Sequence, residues 1–453
     1  MKLYSLRALM LGSTALCGLM IAVPVCEAAT LPQGGRVVVG AGTISQSGAT
    51  LTVDQSGNRA IVHWDSFSIG PGGTVQFNNG SGATLNRVTG GELSSILGTL
   101  KASGTLYLIN PNGIVVGASG QVVTGGSFIA STHDILNDAF LNGQPLLFKG
   151  DSTAKVENLG SISSTGGNVF LIARDVLNKG TISAPQGTVG LAGGHEVLLT
   201  ESTGRDSERV LVRVGPGSVD NQGTIEATQA ELKAAGGNIY ALAGNNGGVI
   251  RATGSVTRDG RVWLVADGGH VQNTGTVSAR NADGSGGTVT VSAPGRMVMN
   301  TGTLAADGTR GGAVRVSADR VANQGRISAD GSDGDGGAVT VAYGKTYIDT
   351  TASTLSARGR AKGGSVSVSS TAPNSTLFAS GQHIADGTGG GSSGGSIDLF
   401  GGTISLVDAV LDASGGASGG SIRIGGDYQG SGAMLKAATT LLSPTTTVRA
   451  DAR

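Results

Sequence analysis

This chain is poor in cysteine, in rings and in charge. Of its 453 residues only Cys17 and Cys26 are cysteine, 4% are aromatic and 14% are charged. So few cysteines exclude a small fold stapled by disulfides and a zinc site built on thiolates. Lys and Arg together number 31, as do Asp and Glu, so no basic surface stands ready for a phosphate backbone and no nucleic-acid partner is expected. The shortage of rings argues against a thick core. Also missing is any sustained 3.6-residue periodicity with caps, apart from a short turn expected at Glu92–Leu97.

Glycine is abundant instead. The chain has 80 Gly, more than twice the ordinary share of about 7%. Without a three-residue period this points to disorder or to a fold that turns every few residues. A hydrophobic content of 38% and many Val/Ile alternations favour the second.

Residues 1–28 read as an export signal. Lys2 and Arg7 supply the positive start, Ala8 to Val25 is mostly apolar, and Cys26-Glu27-Ala28 predicts cleavage after Ala28. A membrane anchor fits less well, because Gly, Ser and Thr interrupt the run. A lipoprotein site fits less well still, because Leu16 and Val25 stand where a small residue is wanted. Cleavage would remove both cysteines. A solenoid needs no staple, and a chain that crosses a second membrane unfolded cannot carry one; either explains the loss. No later segment is apolar enough to span a bilayer.

From Asn158 onward one pattern recurs: Asn-x-Gly, an alternating run, a Gly-Gly pair, another alternating run. Asn158, Asn178, Asn221, Asn273, Asn300 and Asn323 each open such an Asn-x-Gly. Gly-Gly pairs begin at Gly286, Gly311, Gly336, Gly363, Gly394 and Gly419, separated by 25, 25, 27, 31 and 25 residues. Such a period belongs to solenoids. Thr288-Val289-Thr290-Val291-Ser292 and its counterparts put every Val on one face of a strand. The pattern predicts an all-β chain, a parallel β-helix of about three short strands per coil, with Val, Ile and Leu inside and Asn and Gly at corners that need positive φ. Single coils cannot bury their apolar faces, so neighbours must stack.

The segment before the repeats carries ordered motifs. Ile44-Ser45-Gln46-Ser47-Gly48 is followed by Asn58 to Gly70, with Ile61-Val62-His63-Trp64-Asp65 at its centre. Then come Val75-Gln76-Phe77-Asn78, Leu85-Asn86-Arg87-Val88, Ile96-Leu97-Gly98, Leu106 to Ile114 through Asn110-Pro111-Asn112-Gly113-Ile114, and Ser127 to Ile135. This order closely resembles the amino-terminal secretion domain of filamentous-haemagglutinin-type exoproteins, the passengers of two-partner secretion. The match covers roughly residues 36–136. The resemblance implies a right-handed, single-stranded β-helix with an amino-terminal cap. It implies export through the periplasm by an outer-membrane β-barrel transporter with periplasmic domains, and a secreted or cell-surface product that binds an unidentified glycan or protein receptor. Asn110, Pro111, Asn112, Gly113 and Ile114 are then the candidate recognition motif, although the same residues also make a favourable structural turn. Leu85, Asn86, Arg87 and Val88 are the secondary motif and resemble the branch of high-molecular-weight adhesins. The Asn-Pro-Asn-Leu element of another branch is absent.

The expected organisation is a signal at 1–28, a haemagglutinin-type secretion domain at 29–143, coils of about 25 residues at 144–430 and a tail at 431–453. Residues 136–157 read as a connector or extra-helical hairpin. Residues 196–220, with Glu201, Arg205, Asp206, Glu208 and Arg209, read as an excursion from one coil.

Parallel β-helices also host polysaccharide-active enzymes, so carboxylates matter. Asp307, Asp330, Asp333 and Asp335 recur near corners and could form an acidic stripe or a weak Ca²⁺ site, but solvated turns explain them as well. Gly390–Gly394 and Gly416–Gly420 satisfy Gly-x-Ser-x-Gly by composition alone. His63, His133, His195, His270 and His383 are dispersed without ligand spacing. Trp64 and Phe67 read as core aromatics. Asn79-Gly80-Ser81 and Asn374-Ser375-Thr376 are permissive glycosylation sequons. No cofactor, metal or catalytic residue is expected. A β-helical enzyme and a structural matrix component stand as alternatives to the binding exoprotein.

Overall fold

The computed structural model describes residues 30–453 apart from 201–209, 215–216, 236–241, 247–248, 254–259, 428–429, 431 and 433. The expected signal with Ala28 therefore lies outside the described residues, as do Glu201, Arg205, Asp206, Glu208 and Arg209.

Two antiparallel pairings open the fold. Gly42–Ser47 and Thr50–Gln55 form a hairpin, and Arg36–Val39 lies against Arg59–Trp64. After them pairing within the helix is parallel. The first face runs from Arg59–Trp64 through Ala83–Val88, Thr105–Ile109, Phe128–Ser131 and Val169–Ala173 to Ser421–Ile424. The second runs from Ser94–Ile96 through Ile114–Val116 and Lys155–Asn158 to Thr439–Leu442. The third runs from Thr50–Gln55 through Thr74–Asn78 and Thr99–Ala102 to Thr447–Arg449. The chain is a three-sided parallel β-helix. The expected turn at Glu92–Leu97 is in fact the strand Ser94–Ile96 that starts the second face. Three residues are too short to show a period. Likewise residues 439–449, expected as a tail, complete another coil.

Alternation drives the packing. In the later coils Val291, Val316, Val341, Val368 and Leu399 stack in register inside the helix, all essentially buried. Their outward neighbours Thr290, Arg315, Thr340, Ser367, Asp398 and Arg423 repeat at the spacing of the Gly-Gly pairs.

The corners work differently from the sequence expectation. Among the described residues only Asp408 is a non-glycine at positive φ. The corner asparagines instead build an internal ladder. Asn158 Nδ2 donates to Asn178 Oδ1 at 2.8 Å and Asn178 Nδ2 to Asn221 Oδ1 at 2.7 Å; Asn273, Asn300 and Asn323 continue it at 2.8 and 2.7 Å. The amides of Asn158, Asn178, Asn273 and Asn300 are thus satisfied by the next coil, and those of Asn221 and Asn323 donate to Gly223 O and Gly325 O two residues on. The Gly-Gly pairs serve close approach rather than left-handed backbone. A Cβ on Gly337 would lie 2.0 Å from the Gly312 carbonyl oxygen, which no side chain tolerates.

Two excursions leave this framework. The first carries α1 (Asn137–Leu141) and the strand Leu146–Lys149; the second carries Glu196–Leu199 and Val210–Val214. Their strands unite as a separate antiparallel sheet with Glu196–Leu199 in the middle. The expected hairpin at 136–157 is therefore half of a composite element whose other half comes from the next excursion. Its apolar side packs on the outside of the first face. Ile61, Leu85, Ile129, Phe140, Phe148, Phe170 and Val197 form a second hydrophobic cluster there, distinct from the axial core.

Candidate functional site

The Asn110–Ile114 segment is the corner between the first and second faces. Asn110 follows the strand Thr105–Ile109 and is fully buried. Its backbone N–H donates to Ser131 O of the next coil at 2.9 Å, while its Nδ2 donates to Glu92 O and Ser94 Oγ of the preceding coil, each at 2.9 Å. The Asn110 Oδ1 accepts the Asn112 N–H at 2.9 Å, and the Gly113 N–H returns to Asn110 O at 3.1 Å. This is a side-chain-locked β-turn with Pro111 at its second position. Gly113 has φ +111°, where glycine is favoured, and Ile114 plunges into the core. Pro111 and Asn112 remain exposed. Asn112 Nδ2 donates to Gly90 O at 2.8 Å, and Ser152 Oγ donates to Pro111 O at 2.5 Å. One short sequence thus ties three coils together and shows solvent only its tip.

Leu85-Asn86-Arg87-Val88 lies in the strand Ala83–Val88, so its residues alternate sides. Asn86 and Val88 point inward. Asn86 Oδ1 accepts the Trp64 Nε1–H at 2.9 Å and its amide donates to Tyr107 O at 3.1 Å, which satisfies the buried indole. Leu85 and Arg87 point outward. Leu85 joins the second cluster. Arg87 donates to Asp134 Oδ1 at 2.7 Å, to Asn137 Oδ1 at 2.5 Å and to Ile135 O at 2.7 Å. It fastens the start of α1 to the coil. The two motifs therefore lie side by side at one end of the first face, on adjacent coils, with Arg87 in register with Ile109.

Trp64 and Phe67 are core aromatics as read from sequence, edge to face at 5.3 Å. His63 is held below its ordinary pKa by partial burial and by Arg87 and Arg36. Two histidines dispersed in sequence meet in space: His133 and His195 stack at 6.2 Å where the two excursions join. His133 Nε2 lies 2.8 Å from Gly194 O, and burial keeps its pKa low. Nothing in their separation of 62 residues announces that pairing.

The aspartates partly stack. Asp307 accepts from Asp330 N at 2.7 Å and Ser328 Oγ at 2.9 Å; Asp330 accepts from Ser356 Oγ at 2.5 Å and Arg358 N at 2.8 Å. Asp333 and Asp335 do not join this column. Arg326 pairs with Asp330, so that carboxylate is neutralised in place, while Asp307 is held by its hydrogen bonds and burial pushes its pKa up. No group of three or more His, Cys, Asp or Glu able to hold a metal occurs among the described residues. Sequence reading also missed a buried trio in the axial core. Asp349 takes the place of the next ladder asparagine after Asn323. It accepts from Tyr347 OH at 2.8 Å, lies 2.9 Å from His383 Nε2, and accepts the Ser380 and Gly381 N–H groups at 2.7 and 2.9 Å. Burial alone would raise the Asp349 pKa; the His383 charge and hydrogen bond and the two backbone donors outweigh it and hold the carboxyl low.

The chance motifs have structural uses. Ser392 is buried and donates to Gly389 O at 2.6 Å. Asn79 is buried and bonded to Thr84 Oγ1 and Thr105 O, so its sequon is closed in the folded chain, whereas Asn374 is exposed.

A three-sided β-helix with a locked corner at Asn110 and a composite cover on its first coils is now in view. The family model of the TPS secretion domain matches residues 28–279. The chain belongs to that family. As a TPS secretion domain it aligns with the Heme/hemopexin-binding protein of Haemophilus influenzae at 33% identity over 267 residues, 56% of this chain and 29% of that protein. A second protein of that name from the same species is 36% identical over 107 residues, 23% of this chain and 11% of its own length. The chain therefore spans under a third of the curated relatives it matches. Among solved structures, the HMW1 secretion domain from Haemophilus influenzae superposes with a TM-score of 0.51 at 23% identity, covering 91% of this chain and all of that one, which supports the fold.

Proposed function

We propose that this TPS-domain chain is an exoprotein exported in two steps, through the periplasm and then across the outer membrane by a partner β-barrel transporter with periplasmic domains, and that it acts outside the cell as an adhesin-type binding protein. The observation that carries the reading is the corner at Asn110–Ile114. Its buried half holds three coils together and its exposed tip, Pro111 and Asn112, is the part a partner can touch. The partner would engage the early coils before they close, because incomplete coils present unpaired strand edges. Each coil completed outside buries apolar surface and biases transport outward.

The receptor is a glycan or a protein. The name shared by the two curated relatives, Heme/hemopexin-binding protein, makes haem and hemopexin the first ligands to test. An enzymatic role is the weaker reading, since the stacked Asp307 and Asp330 are tied up by Ser, backbone and Arg partners.

Fractionation of producing cells with and without a co-expressed transporter tests the export step. Mature chain in the medium or protease-accessible on the surface only with the transporter is the expected result. Periplasmic retention in both cases, or unchanged secretion after replacing Asn110 and Asn112 and deleting residues 30–135, overturns it.

A further inference from the structure

A groove of about 740 Å³ opens where the first face emerges from beneath the extra-helical sheet. It lies within the size range of small-ligand sites, roughly 300–1,000 Å³. Its floor is the outer side of four successive coils, with Ala83, Tyr107, Ile129 and Phe170 at the base. The turn at residues 143–146 makes one wall.

Arg59 is the single charged residue of the lining. Its guanidinium is already positioned: it donates to Phe140 O and lies 5.2 Å above the Phe140 ring centroid. Among the described residues no Asp or Glu pairs with it. The rim around it is neutral and hydrogen-bonding, with exposed Asn58, Ser81 and Gln144. A planar, fixed guanidinium without a carboxylate partner favours a bidentate carboxylate ligand. One cation without a nest of backbone N–H groups is a poor phosphate site. The ring-and-aliphatic floor suits the apolar face of a pyranose, and the rim amides and hydroxyls suit its hydroxyl groups.

We propose that this groove binds a carboxylated sugar unit of a glycan, its carboxylate on Arg59, its ring on the Tyr107–Ile129 floor and its hydroxyls on Asn58, Ser81 and Gln144. The inference goes beyond the export reading and does not depend on it. A chain that is secreted normally but binds no acidic sugar would sink only this proposal.

Calorimetric titration of the purified full chain with trigalacturonate, its methyl ester, inorganic phosphate and a short peptide with a free terminal carboxylate tests it. The ester keeps the rings and removes the charge. The acid should bind, the ester about tenfold or more weaker, and Arg59→Gln should erase that preference. Ala83→Leu, which fills the floor while keeping the Arg59 charge, should also abolish binding while leaving the thermal transition in place. Absent binding of the acid, equal binding of acid and ester, tighter binding of phosphate or peptide, or an unchanged affinity in folded Arg59→Gln would each overturn the assignment.

Discussion

The early coils and the late coils share one cross-section and differ in almost everything else. Between Arg59 and Val214 the first face carries outward apolar residues, Ile61, Leu85, Ile129 and Phe170, and is roofed by a second sheet. Between Thr288 and Ile424 the same face turns Thr290, Thr340 and Ser367 to solvent and has no roof among the described residues. Early coils vary in length and include two excursions; late ones keep the Gly-Gly spacing. Regularity is what stacking alone requires. The departures from it mark where the chain does something besides stack, and both candidate recognition segments and the groove at Arg59 lie among them.

That contrast can be broken most severely in the core. Trp64→Ala in the early coils should cost about 3–5 kcal/mol, as ring-to-Ala changes in packed cores do, whereas Val341→Ala in the late coils should cost no more than about half of that. Chemical denaturation of both variants checks it, and equal losses would deny the early coils their special packing. Asn300→Ala removes the middle rung of the late ladder and leaves the neighbouring amides short of partners, for about 1–3 kcal/mol. Arg87→Ala should cost about 1–2 kcal/mol and, more tellingly, expose residues 134–150 to protease while the late coils stay protected. The smallest effect is on the surface: Thr340→Ala should change stability by less than about 0.5 kcal/mol.

Acid sharpens the comparison. The Asp349 carboxyl is held below its ordinary value of 3.8 in the folded state. Its stabilising contribution is therefore complete above the unfolded value and is lost as pH falls through the lower folded one. Hydrogen-exchange protection, taken relative to the unfolded chain at the same pH, should fall in the coils around Asp349 below about pH 4. The Asp349→Asn variant should show a flatter pH response; an unchanged response would remove Asp349 from the explanation.

Much of this was legible beforehand, for definable reasons. Inward Val repeats at period two, and Gly-Gly pairs recur once per coil, so the helix and its pitch could be read. Asn110-Pro111-Asn112-Gly113 could be read as a turn because its chemistry is local. The Asn-x-Gly signal was visible, but its cause was not: a ladder is a contact between coils, and one coil's sequence does not contain it. The strand Ser94–Ile96 was hidden by its brevity. The roof was hidden because Leu146–Lys149 finds its partner Glu196–Leu199 across two intervening coils. Arg87 was read only as part of a candidate motif, and its role as a clasp was hidden because Asp134 and Asn137 lie far from it in sequence.

The roof has a mechanical consequence. A stack of coils pulled lengthwise from its carboxy-terminal side can peel one turn at a time, each giving way at a similar load. The strands Leu146–Lys149 and Glu196–Leu199 come from different turns and are zipped to one another, so the turns between them cannot be drawn off singly. Peeling should therefore advance in even steps through the late coils and then halt at a single larger barrier. A tether built this way would yield gradually under shear and still keep its first coils intact.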